Sequence, residues 1–290
     1  MDVVDFLLNL VGGIIMVPFD MFLVYYIVKR HKLLFTPYFV TLTLISVCGT
    51  LYMIFTAYLD LQEVLLLRLI YSYFQYFIPL LSVIASLNRF SAIVLWAFYD
   101  RIWTWKRLCI YIAIISLVGM IFLLVIHIGI LNVCCSYVFG ANLRHFDRVF
   151  KATAYMIAFT FEVAAVIYRV NSKKSGEIDK VDITLLFQSI ISTACWLINC
   201  GCNIASAIKF RFFLIVISDA MVLCGFVLPL VYLFASNRKL KVLLFDFYFN
   251  NCIVGQKVFG RIVRLPSIED GKLPSMTQAK RSSLTESTHC

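Results

Sequence analysis

The 290 residues carry 26 Lys and Arg against 16 Asp and Glu, 62% hydrophobic side chains and a mean hydropathy of +0.90. These values exclude a soluble domain and leave no length for a second folded unit beside one helical bundle. The net charge of +10 is divided among loops bordering apolar stretches, where anionic lipid headgroups answer it, so it does not point to nucleic acid.

Seven apolar stretches run over about residues 7–28, 37–59, 68–97, 108–131, 149–170, 183–207 and 212–235. Each reaches the roughly 20 residues that an α-helix needs to cross a bilayer. None alternates with period 2, so the sequence predicts an all-α membrane protein, a seven-transmembrane helix bundle over 1–235, rather than a barrel. Twenty basic residues border the first, third and fifth loops and the tail, whereas six border the other side. Lys and Arg resist translocation, which puts the N-terminus outside and the tail in the cytosol.

Span one is expected to remain as a signal anchor. Met1-Asp2-Val3-Val4-Asp5 lacks a basic n-region, and the apolar run ends at Lys29-Arg30-His31-Lys32. Its Asp20 is read as a packing or protonated structural residue. Span two, over Thr41 to Leu51, has no Asp. Span three carries Tyr71, Tyr73, Phe74, Gln75 and Tyr76 in its outer part and Asn88-Arg89-Phe90 at its inner end. An Arg at an inner helix end is, taken alone, a snorkelling anchor. His127 in span four reads as a satisfied polar side chain. Cys134 and Cys135 follow in an outer loop without an outer partner at the top of span three, so a disulfide there stays open. The other cysteines in the spans, such as Cys48 and Cys195, behave as small apolar groups.

Glu162 in span five lies two turns before Arg169 and is expected near the inner interface. Span six offers Trp196, Asn199 and Asn203, and span seven offers Asp219, Pro229 and Tyr232. Polar residues within spans are costly and therefore informative. Asp219 is the leading ligand-contact candidate, with Gln75, Asn199 and Asn203 behind it and Tyr71, Phe74 and Trp196 beside them. The 26 Phe and 15 Tyr suit a cavity for apolar small molecules, although the same residues also form ordinary lipid-facing surface.

Beyond span seven, apolar residues at 240, 243, 244, 247 and 248 describe an amphipathic helix within 236–252, lying on the cytosolic membrane face. Cys252 is placed for palmitoylation. The tail, 253–290, is polar towards its end and is expected to be largely disordered. There Ser282, Ser283 and Thr285 follow Lys280-Arg281 and are candidate phosphate acceptors for recruiting an arrestin-like partner.

Leu87-Asn88-Arg89-Phe90 with Tyr99-Asp100-Arg101-Ile102-Trp103, Ser218-Asp219-Ala220-Met221 leading to Leu228-Pro229 and Asn237-Arg238, and Val17-Pro18-Phe19 in span one carry a resemblance. The chain resembles a divergent rhodopsin-like receptor, and more closely the nematode serpentine chemoreceptors of the class gamma superfamily, including its class V relatives. That resemblance covers the whole bundle. It implies a G-protein-coupled chemosensory receptor at the plasma membrane or a sensory cilium, with a heterotrimeric G protein and a small molecule as partners. It also implies activation through Asn88, Arg89, Phe90, Pro229 and Tyr232. Placement alone, at the inner start of span six, makes Asp182 or Asp179 a candidate resting partner of Arg89.

Departures from the wider rhodopsin pattern are plain. Asn88 stands where an acidic residue often precedes the Arg, Leu228 replaces an Asn before the Pro, and Ile198 stands where span six often has Pro.

No His-Glu-x-x-His, Gly-x-Ser-x-Gly or phosphate loop is present, and the four histidines lie in different segments, so neither enzyme, cofactor nor metal is expected. The alternative from another class is a small transporter or channel using the intramembrane carboxylates Asp20, Glu162 and Asp219.

Overall fold

The computed structural model describes residues 3–61, 64–132, 137–171, 180–205 and 211–250. They form α1 (Val3–Val28), α2 (Pro37–Leu61), α3 (Leu65–Val94), a 3-10 turn at Trp96–Phe98, α4 (Tyr99–Ile102), α5 (Trp105–Asn132) and α6 (Tyr137–Asn171). There follow α7 (Lys180–Ala205), α8 (Arg211–Ser236), α9 (Arg238–Phe245) and a π turn at Asp246–Asn250. Apolar runs offer the backbone no external partner, so each segment satisfies its N–H and C=O groups within itself. The chain divides into two units, 1–242 and 243–290. Asp179, Cys134, Cys135, Cys252, Ser282, Ser283 and Thr285 lie outside the described residues, and so do the side chains of His127 and Asp182.

Six described helices, α1, α2, α3, α5, α6 and α8, are long and apolar enough to cross a membrane, which makes the chain a multi-pass membrane protein. The predicted sixth stretch corresponds to α7, 26 residues long. Gln188, Ser189, Ser192, Thr193, Asn199 and Asn203 lower its hydropathy, and each bonds across to a neighbouring helix or within its own turn.

Element boundaries differ from the sequence reading in two informative places. α6 starts at Tyr137 rather than 149, so Asp147 and Arg148 belong to the same helix as Lys151 and not to a loop. A count of apolar residues passes over that amphipathic stretch, whereas the Lys151–Asp147 pair at 3.0 Å has the i,i+4 spacing that a helix surface brings together. α3 stops at Val94 instead of 97, where Leu95 leaves helical geometry. Trp103 Nε1 then folds back to donate to Ser91 Oγ at 2.5 Å.

α3 is the central element, packed against α2, α5, α6 and α7. Of its most apolar window 56% is buried, against 17% for α5, whose remaining surface is left for lipid. α1 closes against α8 through Phe234, whose ring lies 5.1 Å from Phe19 and 5.3 Å from Phe22.

Pro229 lies inside α8, and a proline there cannot donate to the carbonyl four residues earlier, that of Gly225. Ser192 Oγ of α7 donates to the Gly225 carbonyl instead, at 3.0 Å. The proline therefore fits an apolar helix because a neighbour supplies the missing donor.

Gly49 lets α2 approach α8 closely. A Cβ there would fall 2.4 Å from the Phe226 ring, whereas one at Gly201 would meet nothing within 4 Å. Gly49→Leu is expected to lower stability by about 1–3 kcal/mol through overpacking. Gly201→Ala is expected to be neutral or slightly stabilising. Thermal unfolding of the two purified variants in detergent compares them directly.

Candidate functional site

Two polar groupings occupy different levels of the bundle and share α3, α6 and α7. The first gathers around Glu162 of α6, a carboxylate with no solvent exposure. Such a group persists in an apolar interior only when its oxygens are hydrogen bonded. Ser86 Oγ of α3 donates to Glu162 Oε1 at 2.7 Å, Thr193 Oγ1 of α7 donates to Oε2 at 2.6 Å, and Ser189 Oγ of α7 also donates to Oε1. Ser189 and Thr193 reach it together because residues four apart share a helix face. Three helices thus meet on one carboxylate.

One turn beyond Ser86, Arg89 is 7% exposed and lies within electrostatic reach of Glu162. Its Nη2 donates to Gln188 Oε1 at 3.4 Å, and its guanidinium sits 4.3 Å from the centre of the Tyr38 ring. Tyr38 closes the triangle by donating its hydroxyl to the same Gln188 oxygen at 3.2 Å. Arg89 is therefore a component of the α2–α3–α7 junction rather than a snorkelling anchor in contact with water.

Asn88 is buried and accepts from the Tyr99 hydroxyl at 3.4 Å, while its Nδ2 makes no hydrogen bond among the described residues. Burial holds the Tyr99 phenol above the usual tyrosine range, so the proton used in that bond is retained. Phe90 packs on Phe161 at 5.5 Å, and Tyr232 is half-buried.

The second grouping surrounds a cavity of about 330 Å³. α3 contributes Tyr71, Phe74 and Gln75, α6 contributes Asp147, Arg148, Lys151 and Tyr155, α7 contributes Trp196, Asn199 and Asn203, and α8 contributes Ser218 and Asp219. All seven ligand-contact candidates from the sequence face this one space. Its chemistry differs from the apolar cavity that the aromatic content suggested, because four charged side chains and several amides reach it.

Hydrogen bonds fix the lining. Gln75 Nε2 donates to the Tyr71 hydroxyl at 2.7 Å, and the rings of Tyr71 and Tyr52 stack at 4.9 Å with their hydroxyls 3.3 Å apart. Lys151 Nζ donates to Gln75 Oε1 at 2.9 Å and Asp147 Oδ2 at 3.0 Å. On the other wall, Asn199 and Asn203 each donate to Ser218 Oγ at 2.9 Å. Trp196 stacks on Tyr155 at 5.1 Å and meets the Phe226 ring edge-on.

Asp20 belongs to neither grouping. It is buried between α1 and α2, where it accepts from Ser46 and, at 2.5 Å, from Thr50. Sequence reasoning singled out Glu162 and Arg89 but not Gln188, Tyr38 or the serines and threonine that hold them. The available signal was the spacing of Ser189, Ser192 and Thr193 on one face of α7. Arg148 and Lys151 entered only the count of basic residues bordering the outer side.

Within the described side chains no cluster of His, Cys, Asp or Glu is arranged to hold a metal. No protein-family model matches the chain, and a search of curated proteins finds no match.

Glu162→Leu removes the acceptor for three hydroxyls, those of the buried Ser86 and Thr193 and the half-buried Ser189, and is expected to destabilise the bundle by about 2–3 kcal/mol. Glu162→Gln keeps one acceptor oxygen and is expected to cost less. Thermal melts of both variants, normalised to wild type, give the order.

Proposed function

We propose that the chain is a seven-span, G-protein-coupled chemosensory receptor with its N-terminus outside, related to the nematode serpentine class. In this reading α7 completes the set of spans. Its polar residues turn toward α6 and α8, which removes the cost they would carry against lipid. The excess of basic residues on one side orients the bundle so that the cavity opens outward and Arg89 lies near the cytosolic end.

The observation that carries the reading is the division of labour along shared helices. Gln75 and Arg89 are both on α3, separated by roughly 21 Å at 1.5 Å per residue, and α6 and α7 also contribute to both groupings. A ligand that pulls on the cavity walls therefore acts on the same rods that hold Glu162, Gln188 and Arg89. Ligand binding shifts a two-state bundle by favouring the state it contacts better. In the active state Arg89 leaves Gln188 and Tyr38 to meet the G protein, with Pro229 allowing α8 to bend. Asp182, on the first turn of α7, remains a candidate resting partner for Arg89.

Nucleotide exchange on a panel of G proteins, in membranes holding the full chain and supplied with pooled small-molecule extracts, tests this reading. Arg89→Ala is expected to abolish ligand-stimulated exchange. Gln188→Leu, which removes the acceptor for Arg89, is expected to raise basal exchange by about two- to tenfold, the range of one hydrogen bond. Solute flux altered by Asp219→Asn in membranes that show no exchange would instead favour the transporter reading.

A further inference from the structure

Of the four charged side chains that line the cavity, three are already engaged within the chain. Lys151 Nζ pairs with Asp147 Oδ2 at 3.0 Å and also donates to Gln75 Oε1 at 2.9 Å, so this cation and this carboxylate answer each other. Asp219, on the α8 wall, likewise interacts within the chain. Arg148 of α6 differs from them. It lines the cavity, is half-buried, and makes no hydrogen bond or ion pair with the described residues. The adjacent Asp147 is taken by Lys151, four residues along the same helix face, and neighbours in sequence do not face each other on a helix.

A guanidinium offers a flat fork of N–H donors that matches a carboxylate with two parallel hydrogen bonds. The rest of the lining sets what such an anion carries. Phe74, Ile78 and Val222 supply apolar surface, and the Tyr155–Trp196 stack supplies a flat aromatic wall. A volume of about 330 Å³ is at the lower end of small-molecule sites, which suits a short organic acid. Asp147 and Asp219 stand on the same walls, so a second negative charge on the ligand would meet like charge in a poorly hydrated space. A neutral molecule of the same shape would shield Arg148 from water without a counter-charge, at a cost in desolvation.

We infer that the cavity binds a small organic monoanion, a monocarboxylic acid whose carboxylate pairs with Arg148 and whose apolar body rests against Phe74, Ile78, Val222 and the Tyr155–Trp196 stack. This ligand class deepens the receptor reading and rests on it only for the consequence of binding, so binding and signalling are measured separately.

Ligand-induced thermal stabilisation of the purified full chain in lipid nanodiscs tests the assignment, with nucleotide exchange run on the same preparation. The probes are hexanoate, octanoate, benzoate and phenylacetate. Each is compared with its primary amide and the matching amine, and hexanedioate and octanedioate serve as dianions. At least one monocarboxylate is expected to stabilise the protein, with its amide, its amine and the dianions requiring about tenfold higher concentration or more. Arg148→Gln is expected to remove the preference for acid over amide. Arg148→Lys, which keeps the charge without the fork, is expected to restore part of it.

An amide, amine or dicarboxylate as effective as the monocarboxylate overturns the assignment, and so does the absence of stabilisation by all four monocarboxylates. Acid stabilisation that is unchanged in Arg148→Gln overturns it as well, since the acids then act through the bilayer or another part of the chain. Arg148-dependent acid binding without nucleotide exchange upholds the ligand class and counts against the receptor reading. Exchange driven only by neutral or cationic molecules upholds the receptor reading and overturns the ligand class.

Discussion

Glu162 is fully buried among apolar helices, and its position is tolerated only because hydroxyls from α3 and α7 occupy its oxygens. That constraint fixes more than one side chain. Ser86 must face α6, Ser189 and Thr193 must face the same point from α7, and Arg89, one turn along α3 from Ser86, is thereby directed at the α2–α7 junction. Helices in lipid gain little from burying apolar surface against one another, since the lipid is equally apolar. Packing and interhelical hydrogen bonds therefore set how they associate. The carboxylate specifies the relative rotation of three helices, and the cavity is built from other residues of those same helices.

The same reasoning accounts for α7 and for the proline of α8. A helix carrying Gln188, Ser189, Ser192, Thr193, Asn199 and Asn203 would be a poor choice for facing lipid on every side, yet those residues meet partners along its length. Ser192 repairs the hydrogen-bond gap left by Pro229, and Asn199 and Asn203 meet on Ser218 of α8. A hydropathy average sees only the cost of these groups. The contacts show where that cost is offset, and they tie α7 to α6 at one level and to α8 along much of its course.

Much of the fold was legible because long apolar runs admit few structures. The six apolar helices follow from length and composition, and the polar residues inside them were conspicuous for the same reason. Tyr71, Phe74, Gln75, Trp196, Asn199, Asn203 and Asp219 gather at one cavity because each lies toward the same end of its helix, a position that span boundaries alone convey. The partners were not legible. Nothing in the sequence couples Ser86 to Glu162, 76 residues away, or Tyr38 to Gln188, 150 residues away, since such pairings depend on helix rotation. Asp147, Arg148 and Lys151 were hidden by a different cause. Asp147 and Arg148 lie in an amphipathic extension of α6 that an apolar count assigns to a loop, and Lys151, just inside the predicted span, was read only as a bordering charge, although the i,i+4 spacing of Asp147 and Lys151 was a helical cue. The polar character of the cavity was lost with them.

The account stands on α7 being a membrane span, since only an odd number of crossings puts an outer N-terminus and a cytosolic tail on opposite sides of the membrane. The most direct measurement is the sidedness of two epitope tags in intact cells, one before Val3 and one after Ser236, scored with and without permeabilisation. The account predicts that the first tag is stained on intact cells and the second only after permeabilisation. Finding both tags on one side of the membrane would contradict it, leaving an even number of crossings and no seventh span.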